Sequence, residues 1–216
     1  MRDKYQEQLD AVLSELVEMT GDVRSALGQA TKALLGADAA LAEDVIAGDV
    51  AIDEARERIE DDSFEILARQ SPVAGDLRML VAALRMVTDL ERMGDLSVHV
   101  AKVARLRYPM HAVPDSLVAT IHAMAETADQ MIESAARTVA TRDVDEAEGL
   151  EAADDHMDQL RTSMFRTLLR DDWDDGVEAA VDIALLGRYY ERIGDHAVSM
   201  ARRLVFIVTG EHPATT

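Results

Sequence analysis

Apolar residues in this chain recur every three or four positions, and no segment alternates with period two for long. One stretch carries the pattern clearly: at about 100° per residue, Leu80, Leu84, Val87, Leu90, Gly94, Val98 and Ala101 fall along one side of a helix. The periodicity predicts six helices, over roughly 3–35, 38–69, 73–107, 115–141, 143–170 and 174–209. The four prolines punctuate them. Pro72 sits near the start of the third helix, Pro109 and Pro114 bracket the following junction, and Pro213 lies in the tail. Asp38 and Asp143 stand as N-caps at equivalent positions, and Ser71 before Pro72 as another. Helices of about 30 residues, or roughly 45 Å, imply elongated antiparallel bundles. The expected fold is all-α: two tandem three-helix bundles, residues 1–110 and 111–216.

The two halves follow from an internal repeat. Residues 91–95 read Glu-Arg-Met-Gly-Asp, and residues 191–195 read Glu-Arg-Ile-Gly-Asp. Val81 matches Val181, Val98 matches Val198 and Ala101 matches Ala201, all at an offset of 100. Upstream the offset is 105, pairing Met19 with Met124, Ala30 with Ala135, Asp49 with Asp154, Asp53 with Asp158 and Arg56 with Arg161. The change of register places a five-residue deletion around Asp171–Gly176, read as a shorter connection in the second copy. The chain is a tandem duplication of a unit of roughly 100 residues.

Charge narrows the function classes. Acidic residues outnumber basic ones, 42 to 22, for a formal charge of −20. A field of that sign repels phosphate backbones and anionic lipid, which argues against nucleic-acid binding and against a polybasic membrane anchor. There is no cysteine, so disulfides, thiolate metal sites and cysteine nucleophiles are excluded. The charged start, Met1-Arg2-Asp3-Lys4, shows no apolar signal core, and Leu204–Val208 is too short to span a bilayer. A cytoplasmic protein is expected.

Candidate chemistry sits on the third and sixth helices. Glu91 falls only about 40° from the centre of the apolar stripe and Asp95 at about 80°, on its edge. The second copy repeats this with Glu191 and Asp195 beside Ile183, Tyr190, Gly194, Val198 and Ala201. A carboxylate leaning into an apolar face must find a cation or hydrogen-bond donors, because desolvating it alone is costly. Asp49 and Asp53 on the second helix, and Asp154 and Asp158 on the fifth, are spaced to face these pairs across a groove. Such all-oxygen sets suit hard cations such as magnesium, manganese, calcium or iron. The competing expectation is a set of solvated acids, some paired with Arg56, Arg92, Arg161 or Arg192. Gly94 and Gly194, each costing about 1 kcal/mol mid-helix, point to close approach by a neighbouring backbone or a bound ion cluster, or to helix–helix packing alone. His99 continues the Glu91, Asp95 row and His196 follows Asp195, but neither is repeated in the other copy, which reads as surface or boundary placement.

The doubled E-R-x-G-D block resembles the PhoU family, as does Gln70-Ser71-Pro72-Val73-Ala74-Gly75-Asp76-Leu77-Arg78 entering the third helix. The resemblance covers about residues 5–208. It implies a cytoplasmic, all-helical, non-enzymatic accessory protein of high-affinity phosphate transport. Such a protein acts as a negative regulator of the phosphate-starvation response. It implies partners too: the transporter's ATP-binding subunit, a membrane sensor histidine kinase and a second copy in a homodimer, with membrane contact only through partners. It also implies metal ions (iron, manganese, magnesium or zinc) on the E(D)-x-x-x-D motif, here Glu91/Asp95 and Glu191/Asp195. His99 and Ser199 stand where the family often carries asparagine, and the second copy lacks the proline-led entry to its third helix.

Two other readings remain open on the residues. A carboxylate di-metal enzyme of the ferritin type needs Glu-x-x-His on bundle helices, and none of the 6 histidines has a Glu three residues before it. A metal-free helical adaptor of a low-affinity phosphate transporter needs no motif at all.

Overall fold

The computed structural model describes residues 2–141 and 145–209, and among these there are six helices and no strand. They are α1 (Arg2–Gly36), α2 (Ala39–Gln70), α3 (Gly75–Arg107), α4 (Asp115–Thr141), α5 (Asp145–Leu168) and α6 (Gly176–Thr209). In the first half α1, α2 and α3 pack against one another; in the second α4, α5 and α6 do the same. The halves join along α1 against α4 and α3 against α6.

The helices form where buried residues recur at three- and four-residue intervals. On α1 these are Leu9, Val12, Leu16, Met19, Val23, Leu27, Ala30 and Leu34, each at most 2% exposed. The stripe expected on α3 is buried at Leu80, Val87, Leu90, Gly94, Val98 and Ala101, with Leu84 partly exposed at its margin. No helix among the described residues is long and apolar enough to cross a membrane.

Asp38 caps α2, its carboxylate accepting from the Leu41 amide at 3.0 Å. Asp143, the equivalent expected cap, lies outside the described residues. Ser71 is a correction: it does not start α3 but ends α2, in the left-handed region at φ 47. Pro72 disfavours helical backbone at the residue before it, so the chain leaves the helix at Ser71 and re-enters only at Gly75. Ala74 precedes α3 without a side-chain cap bond.

The five-residue deletion is also placed differently from the expectation. The connection between α5 and α6, residues 169–175, is longer than residues 71–74 between α2 and α3. The deletion falls on the end of α5, which stops at Leu168, the equivalent of Ser63 well inside α2. Trp173 stabilises this longer turn, donating its indole N–H to the Gly176 carbonyl at 2.9 Å.

Several polar contacts tie the halves together. Arg24 of α1 grips Asp129 of α4 with two 2.8 Å bonds and reaches Glu133 at 3.3 Å. Arg107 at the end of α3 pairs with Asp182 and Glu178 of α6. The fully buried Tyr190 hydroxyl lies 2.9 Å from that of Thr31, and burial pushes its ionisation far above the usual tyrosine range.

Candidate carboxylate site

Successive contacts between α3 and α6 run in opposite directions: Asp89 meets His196, His99 meets Tyr189, and Arg107 meets Asp182. The helices are therefore antiparallel, and the two E-R-x-G-D copies lie opposite each other where they meet. The fold thus brings together segments that are 100 residues apart in sequence.

Each copy turns its glutamate inward and its aspartate outward, as the helical phase predicts. The Glu91 side chain is 20% exposed against 45% for Asp95; for Glu191 and Asp195 the values are 12% and 53%. Facing them across each groove is one half-buried aspartate, Asp49 on α2 and Asp154 on α5, while Asp53 and Asp158 are exposed.

The glycines make room for this approach. A methyl at Gly94 would stand 3.1 and 3.2 Å from Ile52 carbons and 3.5 Å from the Asp49 Oδ1. At Gly194 it would meet Met131 at 3.1 and 3.2 Å and the Asp154 Oδ1 at 4.0 Å. Neighbouring side chains, rather than backbone, are what come close.

Both inner aspartates hold their protons more tightly than an ordinary carboxyl. For Asp49 burial is the main cause, followed by the negative fields of Asp95, Asp53 and, more weakly, Glu91; Lys102 opposes them. For Asp154 burial again leads, then Asp195 and Asp158, with Arg202 opposing. All four acids nominated in the first half are therefore near enough to interact, and in the second Asp154 feels Asp195 and Asp158 but not Glu191. Among the described residues, no three Asp, Glu or His side chains are already gathered as metal ligands would be.

The halves differ in their cations. In the first, Arg92 lies 3.5 Å from Glu91 and 3.3 Å from Asp95. In the second, Glu191 is held by Arg188 and, at 3.3 Å, by Arg161 of α5. Arg56, the equivalent of Arg161, pairs instead with Glu60 at 3.1 Å, and Thr88 stands where the second copy has Arg188. The first half keeps oxygen-only donors, the kind a hard cation takes, with one guanidinium, Arg92, beside them. In the second, two guanidiniums already neutralise the central glutamate.

Periodicity missed a buried group on the opposite flank. Asp89, 6% exposed, receives the His196 Nδ1 proton at 3.0 Å and faces Arg203 at 3.1 Å. His196 is thus a structural partner across the repeat interface. His99 is exposed and packs edge-on against Tyr189, with ring centroids 5.3 Å apart. The available signal was Asp89 itself, an acid three residues after the core Met86 and four before the core Met93, on their face of the helix.

A duplicated six-helix bundle with a doubled carboxylate motif on facing helices defines a narrow class. The PhoU domain matches residues 16–104 and again 121–204. A Mycobacterium tuberculosis relative, phosphate-specific transport system accessory protein PhoU homolog 2, is 45% identical over 213 residues, covering 99% of this chain and 100% of its own. The crystal structure of PhoU from Pseudomonas aeruginosa superposes with a TM-score of 0.86 at 28% identity, over 96% of this chain and 100% of that one. The phosphate transport system regulatory protein PhoU from Streptococcus pneumoniae shares the fold at a TM-score of 0.88 and 22% identity, over 98% and 100%. The chain belongs to the PhoU family.

Proposed function

We propose that this chain is an accessory regulator of phosphate-specific transport that restrains uptake and the phosphate-starvation response. It acts by protein contact and not by catalysis. The observation that carries the reading is the doubled E-R-x-G-D block on facing helices, within a full-length likeness to relatives named as phosphate-specific transport accessory proteins. Its receivers are the transporter's ATP-binding subunit and a sensor histidine kinase, which it meets at the cytoplasmic face as a homodimer. The net charge of −20 leaves protein contact as the route to any effect on transcription, since it opposes DNA binding. Deleting the gene should leave phosphate-uptake transcripts high in phosphate-rich medium. Normal repression, with no second copy of the protein present, would overturn the assignment.

The same proposal gives the carboxylate grooves divalent or trivalent metal, with Glu91, Asp95, Asp49 and Asp53 in one and Glu191, Asp195, Asp154 and Asp158 in the other. Binding would relieve the repulsion that Asp49 and Asp154 experience. Replacing Glu91 and Asp95 with alanine should remove about half of the bound metal or more, because the second groove is partly neutralised by arginine. Unchanged metal content by elemental analysis would show these acids to be ordinary surface charge, as a second reading, a metal-free adaptor of a low-affinity transporter, has them. The arginines already seated on Glu191 support that second reading.

A further inference from the structure

Where the two motif copies meet, α3 and α6 leave a groove of about 380 Å³ whose character is opposite to that of the molecule. Arg92, Arg188 and Arg192 line it with His99, Tyr189 and His196, against a single carboxylate, Asp95. We infer that this groove is a binding site for a small, multiply charged phosphate-bearing anion.

The arginines have donors to spare. Each guanidinium carries five N–H groups. Arg188 commits its Nη1 to Glu191, with Asp195 at 4.0 Å from the same atom, leaving its Nε and Nη2 free. Arg92 uses Nη1 on Asp95 and Nε near Glu91, leaving Nη2. Arg192 makes no ion pair among the described residues and is exposed. The motif glutamates reach towards the flanks: Glu91 contributes to the field at Asp49 of α2, and Glu191 sits between Arg188 and Arg161 of α5. The groove wall carries three cations and one carboxylate.

His196 adds a fixed element. A carboxylate only accepts, so the contact with Asp89 places the proton of His196 on Nδ1; Nε2 of the neutral ring is then an acceptor, so His196 shapes the wall while the arginines supply the donors. The volume exceeds what one oxyanion fills and lies within the range of small-molecule pockets. The planar, forked donors suit phosphate oxygens better than a point charge would. The overall negative charge does not forbid this. At about 0.15 M salt the screening length is roughly 8 Å, so acids elsewhere on the molecule are screened and the groove's own lining, three arginines against Asp95, sets the local balance.

The inference stands apart from the metal reading and is tested with chelator present, so either can fail alone. Tripolyphosphate and ATP are titrated calorimetrically into the full chain at about 0.15 M salt. One site per chain is expected for both. Arg192→Ala should weaken binding about tenfold, the loss of one charge-assisted contact. The Arg92→Ala/Arg192→Ala pair should abolish it, with helicity unchanged by circular dichroism. Arg170→Ala, in the exposed turn beyond α5, should change nothing. ATP binding more tightly than tripolyphosphate would identify a nucleotide as the source, with Tyr189 and His99 contributing; equal affinity would identify an inorganic chain. No binding at millimolar ligand, more than one ion per chain, or equal weakening by Arg170→Ala would overturn the proposal.

Discussion

Gly94→Ala and Gly28→Ala should move stability in opposite directions. Both sit within helices, where alanine is favoured over glycine by about 1 kcal/mol. Gly28 lies exposed on α1, and an added methyl would meet nothing within 4 Å, so that variant should gain about 1 kcal/mol. At Gly94 the methyl lands 3.1 and 3.2 Å from Ile52, a β-branched side chain that is 4% exposed and stiff at χ1. Overpacking of that kind costs about 1–3 kcal/mol, which exceeds the propensity gain. A net loss near 1 kcal/mol is expected, and at this chain length each kcal/mol moves the melting temperature by about 2–4 °C. Gly194→Ala is the internal control. Its methyl meets the sulfur and terminal carbon of Met131, which can swing aside, so it should be close to neutral. Urea unfolding of the three variants in chelator decides the matter. Gly94→Ala as stabilising as Gly28→Ala would show that Ile52 yields freely and that the glycine is not there for packing.

Further expectations follow from the same contacts. Because the folded state raises the Asp49 and Asp154 carboxyls, it binds more protons than the unfolded chain above the ordinary Asp range. Their contribution therefore favours the folded state at low pH and is lost as pH rises through the raised values. Asp49→Asn should make metal-free protein more stable at pH 7 and flatten this part of the pH profile of the melting temperature; an unchanged profile would refute it. Asp89→Ala strands Arg203 and His196 at the repeat interface and should cost about 2–3 kcal/mol in urea unfolding, with the partial exposure of both partners moderating the loss. A cost under about 0.5 kcal/mol would show the group to be solvated. Arg161→Ala frees one side of Glu191 and should tighten manganese binding at the second groove, read by titration of an Glu91→Ala/Asp95→Ala background; no change would detach Arg161 from that site.

The architecture was legible because duplication gave two readings of every element, and because helical phase alone sorts Glu91 and Glu191 inward from Asp95 and Asp195. Helix ends were less legible. Ser71 carries the chemistry of an N-cap, yet Pro72 after it makes the preceding residue leave the helix, so it closes α2. The deletion was visible as a change of register, but a register cannot say whether a helix or its connection lost residues; here α5 did. Least legible were contacts between halves. His196 and Arg203 share a face of α6 two turns apart, but Asp89 lies on α3, and only the antiparallel meeting of α3 and α6 brings it to them. The unequal arginines on the two glutamates were half visible, in the mismatch of Thr88 and Arg188, but their geometry was not.

The antiparallel meeting of α3 and α6 also bears on how the two copies can diverge. Two separate single-repeat proteins meeting this way would form a symmetric pair, in which any substitution appears on both sides of the interface at once. Fusion into one chain, through residues 108–114, removes that constraint and keeps the partners permanently at high local concentration. Positions 88 and 188 could then differ as threonine and arginine, and positions 96 and 196 as leucine and histidine. One ancestral surface was free to become two, each open to selection on its own.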